Sequence, residues 1–200
     1  TGAKIIIIGG GVGGTNVAKL LSYRLPTARI YLIEKNQSYV TPFFTNHFLS
    51  GTSLLKDYTQ NYSLISKHEQ ITVIHQLAVT INKNENYIVL EEGQKINYDQ
   101  LVIAPGTSLN LTSIDGYDQE CSKLFPHAYF GSSKGQWETL RRQLRTMPDG
   151  GTFAISVPKR PYKCTPAPYE RASIVAEFLK QAPCGDSSLR SEAPLRGALR

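Results

Sequence analysis

The chain has 200 residues, 40% of them apolar, and a formal charge of +6. That composition fits a globular chain of one or two domains and excludes a disordered one. Its basic residues are scattered, which argues against a nucleic-acid-binding patch, and no apolar run reaches the ~18 residues of a membrane helix.

Lys4–Ile8 is a short β-branched run, the pattern of a strand buried on both faces. Gly9, Gly11 and Gly14 follow in G-x-G-x-x-G spacing. Thr15–Tyr23 then sets Val17, Leu20 and Leu21 at helical spacing, and Arg29–Ile33 is a second strand closed by Glu34. Each glycine has a physical task. Gly9 permits the tight turn, Gly11 lets a pyrophosphate approach the backbone, and Gly14 lets the helix pack close to the strand. The helix N-terminus offers unpaired N–H groups to phosphate. Glu34, 20 residues after Gly14, is placed to accept hydrogen bonds from ribose hydroxyls, and Lys35 beside it joins the cofactor-binding set. A carboxylate here disfavours a 2′-phosphate, leaving FAD and NAD open at this point.

Ile71–His75, Leu77–Ile81 and Tyr87–Leu90 read as short strands between polar turns. Tyr98-Asp99 then leads into the apolar run Leu101–Ile103 and Ala104-Pro105-Gly106. This segment resembles the second FAD signature of glutathione-reductase-like flavoproteins, with Ala104 and Gly106 returning to the nucleotide. Paired with the first motif, it favours FAD. Lys134–Met147 is an amphipathic helix with Trp137, Leu140, Leu144 and Met147 on one face; Arg141, Arg142 and Arg145 are expected to be solvated.

Thr152–Val157 is expected to be a buried strand opening a second, NAD-like domain. A second glycine motif should follow it there. Instead the chain runs Pro158-Lys159-Arg160-Pro161-Tyr162-Lys163-Cys164-Thr165-Pro166-Ala167-Pro168-Tyr169-Glu170-Arg171-Ala172. Bulky residues and prolines stand where a pyrophosphate would need glycine, so nicotinamide is not expected as the redox partner. Cys164 precedes a helix start, with Lys159, Arg160 and Lys163 near in sequence, a setting that favours thiolate. Glu170, in the first helical turn, is placed to move protons. A buried structural cysteine and a helix-stabilising glutamate are the plain alternative. Cys121, Cys164, Cys184 and the four histidines match no metal-site spacing.

Over residues 4–180 the chain resembles the flavoprotein subunit of flavocytochrome c sulfide dehydrogenase, a relative of the sulfide:quinone oxidoreductases. The specific residues are Pro126-His127-Ala128, Gln143-Leu144 with Asp149-Gly150-Gly151-Thr152, and above all Cys164-x-Pro-x-Pro-Tyr-Glu-Arg-Ala. The resemblance implies an FAD enzyme that oxidises sulfide to sulfur or polysulfide, a c-type cytochrome subunit as partner and electron acceptor, and a periplasmic location. It implies that Cys164 is one half of a redox cysteine pair and that Glu170 lies near the flavin. Pro42 stands where the family attaches FAD through a cysteine, so the cofactor is expected to be non-covalent. The partner cysteine and a later flavin motif are expected beyond this chain. Cys184 is a poor substitute, because a helix of ~12 residues spans ~18 Å while a disulfide needs Cα atoms within ~7 Å. Three alternatives stay open: a quinone-linked enzyme, an NADH-dependent disulfide-type reductase, and an inactive FAD-binding remnant.

The expected organisation is α/β. A Rossmann-like FAD-binding domain of three layers (ββα) covers 1–110, and a partial NAD-like domain carrying the redox cysteine covers 111–180. Residues 181–200 form an atypical tail that lacks the Ile, Tyr, Asn and Lys common before it.

Overall fold

The computed structural model describes residues 2–41, 45–129, 134–159, 162 and 164–181. In chain order the elements are β1 (Lys4–Ile8), α1 (Val12–Arg24), β2 (Arg29–Ile33), β3 (Ser38–Val40), α2 (Asn46–Ser50), β4 (Thr59–Asn61), β5 (Ile71–Ile74), β6 (Ala78–Asn82), β7 (Tyr87–Leu90), β8 (Lys95–Asn97), β9 (Gln100–Ile103), α3 (Cys121–Leu124), α4 (Lys134–Thr146) and α5 (Ala167–Gln181). Contacts divide the chain into two units. One holds Thr1–Tyr39 and Gln60–Ser108, the other Val40–Thr59 and Leu109–Arg200. Segment 40–59, within the range read as the FAD domain, thus packs with the later residues.

The first unit is built on a parallel sheet in the order β5-β2-β1-β9. Alternate residues of β1 serve opposite faces. Ile5 and Ile7 pack with Ala18 of α1, Ile30 and Leu32. Ile6 packs on the other side with Ile88, Leu90 and Ile96 of the antiparallel meander β6-β7-β8. Helix, sheet and meander are the three expected layers. Burying each of these aliphatic side chains stabilises the unit by about 1.5–3 kcal/mol.

Helix α1 differs from the sequence reading in its buried face. Gly14, Ala18 and Ser22 face inward, while Leu20 is exposed. The helix lies so close to the strand that a Cβ on Gly14 would stand 1.8 Å from Gly9 O, so a stripe of small residues is what fits. Val17 and Leu21 flank that stripe and pack on the core.

The second unit gathers α2, α4 and α5 around Phe48, Leu49, Leu55, Trp137, Leu140, Leu144, Val175 and Phe178. Helix α4 forms where its periodicity places it, with one correction. Arg141 is buried, its guanidinium carbon 4.5 Å from the centre of the Phe48 ring. The planar guanidinium is weakly hydrated and stacks on aromatics, which a residue count does not reveal. Thr152–Val157 is not a strand. A strand needs a neighbour to complete its ladder, and no strand among the described residues pairs with it. Phe153 and Ile155 are half-buried, and the alternate residues are exposed.

Candidate functional site

The turn after β1 has the geometry its glycines require. Gly9 sits at φ +101°, a region open to glycine but closed to most L residues, and a Cβ there would lie 2.1 Å from Ala104 O. Gly9 N–H donates to Ile33 O at 2.8 Å, and Ala104 N–H donates to Ile8 O at 2.7 Å. The ends of β2, β1 and β9 are thereby joined side by side. β2 lies on one side of β1 and β9 on the other, so the crevice at their carboxyl ends is the switch point where α/β sheets bind ligands.

Gly11 caps α1 with no side-chain hydrogen bond, and no acidic residue occupies the first turn. A Cβ built on Gly11 meets no atom within 4 Å. The helix-start N–H groups and positive dipole end therefore face an approachable backbone, suited to a dianionic pyrophosphate. Glu34 stands next to this cradle. Its Oε2 accepts from Gly10 N–H at 2.8 Å, while Oε1 accepts from Asn36 N–H at 2.9 Å and from Asn36 Nδ2 at 2.8 Å. A carboxylate has about four acceptor positions, so capacity remains for ribose hydroxyls. Gly106 has φ +77°, and a Cβ there would meet nothing within 4 Å. Lys35 is exposed in the bend after β2. The cradle, the carboxylate and the Ala104–Gly106 turn together fit a flavin dinucleotide.

Tyr62 was not singled out by the sequence. It is buried beneath the glycine turn, where its hydroxyl donates to Gly10 O at 3.0 Å. Its ring lies 5.3 Å from His75 and 6.2 Å from Tyr39. Burial, and then the Glu34 carboxylate, push its hydroxyl well above the ordinary tyrosine range, so it stays a proton donor. A lone tyrosine 52 positions from its partner carries no local signal that sequence reading can use.

The second unit holds the other expected residues. Cys164 is exposed in this structure. Its backbone sits at φ +59°, in the left-handed region, and its carbonyl accepts from Ala167 N–H at 3.0 Å. The chain thus turns sharply into α5, whose second residue, Pro168, needs no N–H partner in the first turn. Glu170 is exposed in that turn. Pro42, Arg160, Lys163 and Cys184 lie outside the described residues.

Arg171 holds this region together, a role its place in the Cys164 motif does not disclose. Nη1 donates to His127 O at 2.6 Å, Nη2 donates to Ala128 O, and Nε donates to Asn46 Oδ1 at 3.3 Å. The guanidinium carbon lies 5.4 Å from the centre of the Trp137 ring. Burial lowers its pKa from 12.5 to about 10, with Tyr129 and Glu170 acting in the opposite direction, so it remains a cation at neutral pH. Ala128 is itself in the left-handed region at φ +41°. His127 Nδ1 accepts from Tyr129 N–H at 3.2 Å. Burial, then Arg171, depresses the His127 pKa, which favours the neutral ring that accepts this bond.

Comparison with known proteins agrees with this geometry. The pyridine nucleotide-disulphide oxidoreductase family matches residues 3–136. The central part of the sulfide dehydrogenase [flavocytochrome c] flavoprotein chain matches residues 137–188. A sulfide-quinone reductase of Aquifex aeolicus is 33% identical over 106 residues, covering 52% of this chain and 24% of that protein. The mitochondrial sulfide:quinone oxidoreductase of Dictyostelium discoideum is 22% identical over 180 residues, covering 89% and 39%. Among solved structures, the sulfide:quinone oxidoreductase of Aquifex aeolicus superposes with a TM-score of 0.58 at 26% identity, covering 70% of this chain and 31% of that one. The chain thus spans about a quarter to two-fifths of the length of these relatives. With a family match over two-thirds of its length and an FAD-binding Rossmann-like fold, the chain belongs to the pyridine nucleotide-disulphide oxidoreductase family, as a flavoprotein related to the sulfide:quinone oxidoreductases.

Proposed function

We propose that this chain is part of an FAD-dependent enzyme that oxidises sulfide to sulfur or polysulfide and passes the electrons to a c-type cytochrome subunit in the periplasm. The observation that carries the reading is the segment 137–188. It matches the sulfide dehydrogenase flavoprotein chain and presents an exposed Cys164 at the start of α5, where a nicotinamide-binding domain would carry glycines.

FAD, when bound, supplies a two-electron acceptor able to release electrons singly. The protein's own part begins with binding. Gly9, Gly11 and Gly14 shape the turn that admits the pyrophosphate, Glu34 orients the ribose, and Ala104 and Gly106 close on the dinucleotide. In this reading FAD is held without a covalent bond, since proline at position 42 cannot form a thioether. Oxidation of HS⁻ to sulfur releases one proton and two electrons. Cys164 is the thiol that carries sulfur, and Glu170 accepts the proton.

Quinone as the acceptor is the second reading, favoured by the curated relatives, which carry sulfide:quinone names. Purified chain reconstituted with FAD decides between the readings. Anaerobic sulfide should bleach the flavin absorption, and oxidised cytochrome c should restore it. Restoration by a soluble quinone alone transfers the assignment to the second reading. Bleaching by NADH instead of sulfide, or failure to take up flavin, refutes both.

A further inference from the structure

The glycine turn is pinned from two directions before any ligand arrives. Gly10 N–H donates to Glu34 Oε2 at 2.8 Å, and Gly10 O accepts from Tyr62 OH at 3.0 Å. The two bonds belong to successive peptide units. The second unit contains Gly10 C=O and Gly11 N–H, which in a planar trans peptide point in opposite directions. Tyr62 draws the carbonyl into the core, so Gly11 N–H points the opposite way, away from Tyr62, and a Cβ at Gly11 would meet no atom within 4 Å. The contact is close. A Cβ on Gly10 would lie 2.8 Å from both Tyr62 Oη and Tyr62 Cε1. Gly11 O is engaged in its turn, accepting from Thr15 N–H at 3.1 Å and from Thr15 Oγ1 at 2.8 Å.

We propose that Tyr62 is a positioning residue for pyrophosphate binding: its hydroxyl, held on Gly10 O, fixes the Gly10–Gly11 peptide so that Gly11 N–H is aimed at the ligand. The inference rests on the reading that this turn binds a flavin dinucleotide. In this proposal Tyr62 acts on the ligand through the peptide it holds. Because burial keeps its hydroxyl protonated, the device does not switch with pH in the physiological range. Without the hydroxyl the peptide is free to turn its carbonyl outward, toward the phosphate oxygens it should avoid.

The test uses the flavin-free full chain and its Tyr62→Phe variant, titrated with FAD, ADP and adenosine. The variant should bind FAD and ADP about five- to tenfold more weakly, the size of one hydrogen bond. Adenosine, which has no pyrophosphate, should bind both proteins alike. Equal affinity of both proteins for FAD overturns the role of Tyr62 while leaving the flavin reading intact. Equal weakening for ADP and adenosine also overturns it, since that is general distortion. Failure of the parent chain to bind FAD ends both readings. A second measurement needs no variant. In the parent, the Gly11 amide resonance should move on addition of ADP and not of adenosine, and an amide indifferent to ADP refutes the inference.

Discussion

Arg171→Gln removes the cation that ties α5 to the turn at 127–128. Three acceptors lose their donors: the carbonyls of His127 and Ala128, and Asn46 Oδ1. A hydrogen bond to a charged group contributes about 1.5–3 kcal/mol, so the gross loss is roughly 6 kcal/mol. Burial of the guanidinium offsets part of this. The fall of its pKa from 12.5 to about 10 corresponds to roughly 3 kcal/mol of desolvation that the variant no longer bears. The net expectation is a loss of about 3 kcal/mol, a large share of a domain's usual 5–15 kcal/mol. Trp137 is the chain's single tryptophan, is buried, and lies under the Arg171 guanidinium, so its fluorescence reports unfolding of the second unit. With a urea dependence of about 1.5 kcal/mol per molar, the midpoint should fall by about 2 M. Arg171→Lys keeps the charge but not the fork that reaches two carbonyls, and should fall between. A midpoint for Arg171→Gln within about 0.5 M of the parent would refute the reasoning, given the accuracy of such extrapolations.

His127 gives the second unit a pH dependence of known sign. Its folded pKa lies below the unfolded value, so the unfolded chain binds the extra proton first. Stability should therefore be lost as pH falls below about 6.5, the unfolded value, towards the folded one. Protonation also removes the acceptor for Tyr129 N–H. His127→Asn should flatten this part of the Trp137-monitored stability profile, and an unchanged slope between pH 7 and 5 would count against it. Cys164→Ala should retain flavin but lose bleaching by sulfide; undiminished bleaching removes the thiol from the reaction. Acid precipitation of the flavin-loaded chain should release all its flavin into solution, and flavin retained on the polypeptide would contradict non-covalent binding.

The first unit was largely legible because its chemistry is local. Strand, glycines, helix, second strand and acid follow one another within 34 residues, and each reports its task by residue type. What escaped was the packing side of α1. A face read from Val17, Leu20 and Leu21 looks for bulk; Val17 and Leu21 do pack on the core, but Leu20 is exposed, and proximity to the sheet selects Gly14, Ala18 and Ser22 as the buried stripe. The three-residue strands β3, β4 and β8 are too short to carry a period. In the second unit Cys164 was visible as a motif, but the residues that hold its surroundings were not. Arg171 reaches Asn46 across 125 positions, and Arg141 meets Phe48 across 93, distances at which composition says nothing. The run Thr152–Val157 has a strand's composition without a strand's neighbour, and pairing is a property of two segments.

The left-handed backbone of Cys164 bears on why a side chain stands there at all. At φ +59° glycine would be the easier occupant, since an L residue there costs about 1–2 kcal/mol. Folding alone would trade the sulfur away and gain stability by doing so. That cost falls on a thiol exposed to solvent at a helix entrance, which accords with the chemistry proposed for this sulfur.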